Sequence, residues 1–166
     1  MGANDITSDG KTRVYWVTTI ANINAPTTSE LNAGIALHST MTADGLNGFQ
    51  PATADVDTSS LDSTFTTMVN GRTSFSNTSL RLKKQSGTDT IFTTLTRDTA
   101  GFLVIRRSIA QTTAWASAQG VEVYPALCGE VSRIDPEPNT IERYEIPIKI
   151  TAGSAGTGPS LRAAVA

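Results

Sequence analysis

The residue types able to do chemistry are few. The chain of 166 residues has one cysteine and one histidine, Cys128 and His38. A nucleophilic pair needs a thiol beside a base, in an electropositive setting that lowers the thiol pKa. Cys128 ends the apolar run VEVYPALC with no cationic neighbour and reads as a small core filler. A zinc site needs several Cys or His ligands at close spacing, which this inventory excludes. Asp55, Asp57 and Asp62 are the clustered carboxylates that could form an acid/base pair or bind calcium. Their D-x-D spacing resembles the start of a calcium loop, but the loop's glycine and closing glutamate are missing. They read as a solvated acidic loop. Gly153, Gly156 and Gly158 are in the wrong order for a dinucleotide fingerprint and read as linker. No cofactor and no enzymatic activity are expected.

Binding chemistry is sparse too. A formal net charge of -2 gives no basic footprint for nucleic acid. Arg81, Lys83 and Lys84, with Arg106 and Arg107 further on, form either a surface for an acidic partner or a wet strand face whose lysines blunt an exposed edge. Asn77-Thr78-Ser79 matches a glycosylation acceptor by pattern alone, and MGANDITSDG lacks the basic and apolar regions of a signal peptide. No apolar run approaches the roughly 20 residues that cross a bilayer. With a single cysteine, these features predict a soluble intracellular protein that needs no disulfide.

The elements that would position these residues are mainly strands. Apolar residues make up 39% of the chain and charged residues 17%, both below the globular average, and Thr, Ser and Gly fill the difference, as in β structure with long loops. One domain over 13–151 is predicted, between a mobile arm at 1–12 and a flexible tail at 152–166, with a long loop at 44–73 that holds one extended strand around Ala54 to Thr58. Val14 to Ile20 alternates as a strand, and the segment from Thr28 could begin a helical turn capped by Thr28 or Ser29. The chain is organised around Arg72 to Arg107. In this stretch Thr78, Leu80 and Leu82 alternate with Ser79, Arg81 and Lys83. Thr88 can cap one short helix carrying Ile91, Phe92 and Leu95, and FLVIRR is apolar on both faces, as in the middle of a covered sheet. Later strands are broken at Pro125 and Gly129, and Tyr144, Ile146, Ile148 and Ile150 share a face, with Pro147 at an edge or where no ladder bond is missed. The core candidates are Trp16, Leu80, Leu82, Phe92, Leu95, Phe102, Val104, Tyr144, Ile146 and Ile148.

Several phrases carry a resemblance: YWVTTIANINAPTTSELNAG, the stretch from GLNGFQPATADVDTSS to NTSLRLKK, DTIFTTL and AGFLVIRR. From about Val14 to Ile150 the chain resembles the major tail protein, or tail tube subunit, of long-tailed siphovirus-type bacteriophages, particularly those of actinobacterial hosts. The resemblance implies a β-sandwich or barrel flanked by one helix. It also implies self-assembly into stacked hexameric rings, forming a hollow tube whose inner wall is a continuous β-barrel. Partners would be further copies, the tape measure and tail terminator proteins, and genomic double-stranded DNA passing without specific binding. No membrane is involved, and the location would be the virion, with assembly in the host cytoplasm.

Under that expectation Arg81, Lys83 and Lys84 on one copy face Asp55, Asp57 and Asp62 on another. Replacing Leu80, Leu82, Phe92 or Leu95 would unfold the subunit, whereas replacing the basic residues would leave it folded and unassembled. Two alternatives share the composition. One is another β-sandwich structural protein, a capsid decoration or a fibre or pilus subunit. The other is a carbohydrate-binding module with Trp16, Trp115 and Tyr124 as its platform.

Overall fold

Period-two alternation builds most of the molecule. The computed structural model describes residues 5–153 and 158–166. In chain order the elements are β1 (Arg13–Val17), α1 (Thr28–Asn32), β2 (Ile35–Ala36), β3 (Met41–Asn47), β4 (Ala52–Asp57), β5 (Met68–Ser74), β6 (Ser79–Lys83), α2 (Thr90–Thr94), β7 (Ala100–Arg106), β8 (Gly120–Cys128), β9 (Ser132–Arg133), β10 (Arg143–Ile150) and β11 (Ser160–Ala164). The main sheet runs β2-β1-β7-β8-β10-β6-β3, with β11 on β8 and β9 on β10, while β4 and β5 pair only with each other. The fold is mainly β, a curled sheet forming a half-barrel.

The curl depends on strands that change partners. β10 pairs with β6 from Arg143 to Pro147 and with β8 from Ile148 to Ile150. Pro147 therefore lies in a central strand, at the residue where the partner changes, and its carbonyl still accepts from the Gly129 amide at 2.7 Å. Pro125 does the same in β8, which pairs with β11 at Val123 and with β10 from Ala126. At such positions a missing amide donor breaks no ladder bond.

Because the sheet is covered on both sides, β7 is apolar on both faces. Inside the curl, Trp16, Leu80, Leu82, Leu95, Leu103, Ile105, Tyr144, Ile146 and Ile148 form the main core. On the outer side Val17, Leu31, Val104, Trp115, Val123 and Ala163 form a second cluster. Phe92 and Phe102 are half-buried and pack against the inner and outer clusters respectively. Trp16 lies on Gly101 so closely that a Cβ there would sit 2.7 Å from the indole.

Four elements differ from the expectation. α2 is capped by Asp89, whose carboxylate accepts from the Phe92 amide, and not by Thr88. A second short helix, α1, begins one residue earlier than its predicted caps: Thr27 and Glu30 form a capping box. The span 44–73 is largely strand, the end of β3 followed by the β4–β5 hairpin. Part of the tail at 152–166 is also strand, since β11 pairs with β8 and buries Ala163 and, beyond it, Val165. Composition misled there, because small residues that look like linker are what a close strand-on-strand contact accommodates. Residues 1–4 of the predicted arm and 154–157 of the predicted tail lie outside the described residues.

Candidate assembly surfaces

The hairpin leaves the body at a corner of left-handed backbone. Gly48 has φ +74°, and a Cβ there would lie 2.6 Å from the Asn77 carbonyl oxygen, while Asn77 itself has φ 54°. Beyond this corner every residue from Pro51 to Asn70 is exposed. In β4, Ala52, Ala54 and Val56 point to one face and Thr53, Asp55 and Asp57 to the other, by the alternation of a strand. Val56 is paired with Val69, and Asp57 with Met68. Apart from Met68, which shares the acidic face with Asp57, the hairpin is therefore amphipathic, and its tip carries Leu61 and Phe65, 108% and 76% exposed. Asp55, Asp57, Asp62 and Arg72 together give this segment the whole formal net charge of the chain, -2. Asp57 is held below the ordinary carboxylate range by hydrogen bonds from Ser59.

A two-stranded ribbon alone in water is marginal, and an apolar face without cover is costly. This segment has the physical character of an arm awaiting a partner surface.

The basic residues lie at the other end of β6. The hairpin joins β6 near Ser79, which pairs with Asn47, whereas Lys83 ends the strand opposite Arg143. Arg81 is engaged within its own chain, bonded to Glu145 on β10 at 3.1 Å and to Asp44 on β3 at 2.9 Å. Lys84 is engaged too: its Nζ lies 3.2 Å from Asp89 and 5.0 Å from the Phe92 ring centre. Lys83 has no ion pair among the described residues. The expected division between core and contact residues does not separate Arg81 and Lys84 from the fold, because both also hold their own subunit together.

Asp89 is 4% exposed and accepts from the Gln85 and Phe92 amides, both at 3.1 Å, and from Lys84. Burial pushes this carboxyl up, but the two amides and the ammonium outweigh burial and hold it below its ordinary value. A depressed folded pKa contributes stability above the unfolded value of about 3.9, and this contribution is lost as pH falls through the folded value. Thermal melts should therefore drop as pH falls from about 5 to 3. Asp89→Asn should cost about 1–2 kcal/mol at pH 7 and flatten that acid slope. An acid slope unchanged in Asp89→Asn would remove Asp89 as its source.

Arg106 and Arg107, grouped with the basic surface by sequence, belong elsewhere. Arg106 is fully buried and donates to the carbonyls of Ala110, Thr113 and Ala114 and to Gln119. Arg107 pairs with Glu122 at 2.9 Å. Trp16, Trp115 and Tyr124 are 2%, 6% and 1% exposed, so they offer no sugar platform. Cys128 is buried, which pushes its thiol up to about 11. His38 stacks on Tyr15 instead of meeting Cys128. Among the described residues no three His, Cys, Asp or Glu side chains are grouped to hold a metal ion, and no helix is long and apolar enough to cross a membrane.

The sequence profile of the phage tail tube protein family matches residues 1–161. The chain belongs to that family. A tail tube protein has a structural role in the phage tail, and this one is a virion component that self-associates into a tube. The resemblance noted in the sequence is thus met by the family match. A chain of the cryo-EM structure of the anti-feeding prophage (AFP) baseplate, 6-fold symmetrised, shares the fold, with a TM-score of 0.58 at 8% identity over 91% of this chain and 94% of that one. A crystal structure of Hcp protein aligns over 90% of this tail tube protein and 96% of that chain, at 8% identity and a TM-score of 0.37, too low to carry an argument. No curated protein sequence matches it.

Proposed function

We propose that this tail tube protein closes head-to-tail into hexameric rings, and that the rings stack into a hollow tube through which double-stranded genomic DNA leaves the virion without specific binding. The observation that carries this reading is the amphipathic β4–β5 hairpin, exposed throughout and unpaired with its own body. Ring closure is a heterologous contact and stacking an open-ended one, so a free arm and unpaired strand edges become contacts. β2 and β3 end the sheet, and neighbours in the ring would supply partners for their backbone groups. The AFP baseplate, whose structure is 6-fold symmetrised and which contains a chain of the same fold, supports the stoichiometry. A mildly negative chain suits a passage that must not hold phosphate. Tape measure and tail terminator proteins would meet the tube in the virion, after assembly in the host cytoplasm.

In the stack, Asp55, Asp57 and Asp62 of one copy face Lys83 of another. Arg81 and Lys84 flank that contact while holding their own subunit together. Negative-stain microscopy of the purified chain tests the assembly: tubes or stacked six-membered rings are expected, whereas isolated trimers would indicate a decoration protein. Lys83→Glu should keep the monomer's melting temperature and raise the concentration needed for tubes about tenfold, equivalent to about 1.4 kcal/mol. Wild-type tube yield from Lys83→Glu would rule out the pairing.

A further inference from the structure

The body has an apolar hollow as distinctive as the hairpin tip. The connection from β9 to β10 encloses a concavity of about 500 Å³, with Ile134, Pro136 and Ile141 on its walls and Arg133, Asp135 and Arg143 among its rim residues. Ile141 is 59% exposed, and Ile141 with the tip residues Leu61 and Phe65 are among the few large apolar side chains left in water. The two features lie at opposite ends of the same strands. The hairpin leaves β6 near Ser79, while the concavity adjoins Arg143, the cross-strand partner of Lys83. About 13 Å of strand separates those ends, at roughly 3.3 Å per residue. A knob at one end of a molecule and a matching hollow at the other make a heterologous contact that repeats without closing.

We infer that this concavity receives the hairpin tip of a copy in the next ring, with Phe65 seated between Ile134 and Ile141 and Leu61 covering Pro136. This rests on the stacked arrangement proposed above and names its receiving surface. A buried aromatic anchor in an apolar pocket is the usual source of affinity at an interface. Charge complements it: Asp62 lies on the tip between the two anchors, and Lys83 beside the hollow lacks an anion of its own among the described residues. The rest of the rim is mixed. Arg133 is paired with Glu142 at 3.5 Å, Arg143 with Glu137 at 3.4 Å, and Asp135 is also present, so the apolar seat carries the affinity and Lys83 helps align it.

The test uses the full chain. Thr64→Cys, beside the anchor, and Thr140→Cys, on the hollow's lining, are prepared separately so that Phe65 and Ile141 stay in place, mixed under assembly conditions and oxidised with diamide. A disulfide-linked dimer is expected from the mixture and from neither variant alone, and the double variant should give a ladder of higher oligomers. Cys128 is buried and should not contribute. Ile141→Asp, at an exposed position, should keep the monomer's melting temperature and raise the concentration needed for tubes at least about tenfold. Wild-type tubes with no 64–140 cross-link and normal assembly of Ile141→Asp would overturn the seat and leave the stacked tube standing. A wild-type chain that stays monomeric at every concentration would overturn both.

Discussion

Replacing residues 54–72 by Asn-Gly should abolish tube formation and leave the body folded. Thr53 and Thr73 are paired partners, so a two-residue turn can join them without moving either strand. The excised segment contributes nothing to either core cluster, so the melting temperature of the monomer should stay within about 2 °C. It does contain Val56, Leu61, Phe65, Met68 and Val69, all large, apolar and exposed. Burying such a side chain contributes about 1.5–3 kcal/mol, and only part of that sum survives the entropy of association. A surviving 4 kcal/mol would still correspond to about a thousandfold in the concentration needed for assembly. Sedimentation and microscopy at matched concentrations would show this. Tubes of normal length from the shortened chain would remove the hairpin from the stacking contact.

Arg106→Met should destabilise the fold strongly. The guanidinium fills the space beneath the 107–119 loop, stacked against Trp115 with Arg13 on the same ring, each 4.9 Å from its centre. Burial, and then the neighbouring charge of Arg13, hold Arg106 below its ordinary pKa. Methionine replaces the volume but removes four bonds: the Gln119 oxygen loses its donor, while the Ala110, Thr113 and Ala114 carbonyls keep only their second donors, the Thr113 amide, Arg13 and Gln119 Nε2. Each lost bond from a charged donor contributes about 1.5–3 kcal/mol, partly offset by no longer burying a charge. A net loss of about 3 kcal/mol should lower the melting temperature by roughly 6–12 °C. Arg106→Lys should recover little, because an ammonium lacks the planar fork that reaches several acceptors at once. Melts at concentrations below assembly avoid the stabilisation that self-association adds. A shift under about 2 °C would show that the loop does not depend on this side chain.

Local pattern revealed the strands whose pattern is set by burial. β6, β7 and β10 were legible because their side chains face water or core in strict alternation, or core on both sides, and the period itself reports that. The hairpin was hard to read for the opposite reason. No part of β4 or β5 is buried in the body, so no alternation of burial was imposed on their Thr, Ser and Asp residues. β11 was missed because Ala163 and Val165 are too small and too few to mark a strand. Arg106 was indistinguishable from Arg107 in a basic pair. Since adjacent strand residues point to opposite faces, one entered the core beneath a loop and the other met Glu122.

The same division applies to assembly. Composition and the period of the strands determined by themselves a mainly β chain short of catalytic residue types, and particular phrases along it carried the resemblance to tail tube proteins. Those properties are local or additive along the chain. Only the tertiary structure decided which charges are paired inside the subunit and which are not. Arg81 and Lys84 are committed to Asp44, Glu145 and Asp89, partners distant in sequence or brought close by a turn, and Lys83 is left over. The tertiary structure also placed the acidic, apolar arm and the hollow at Ile141 at opposite ends of the same strands. Such an arrangement follows from strand pairing across the sheet, which no stretch of sequence contains.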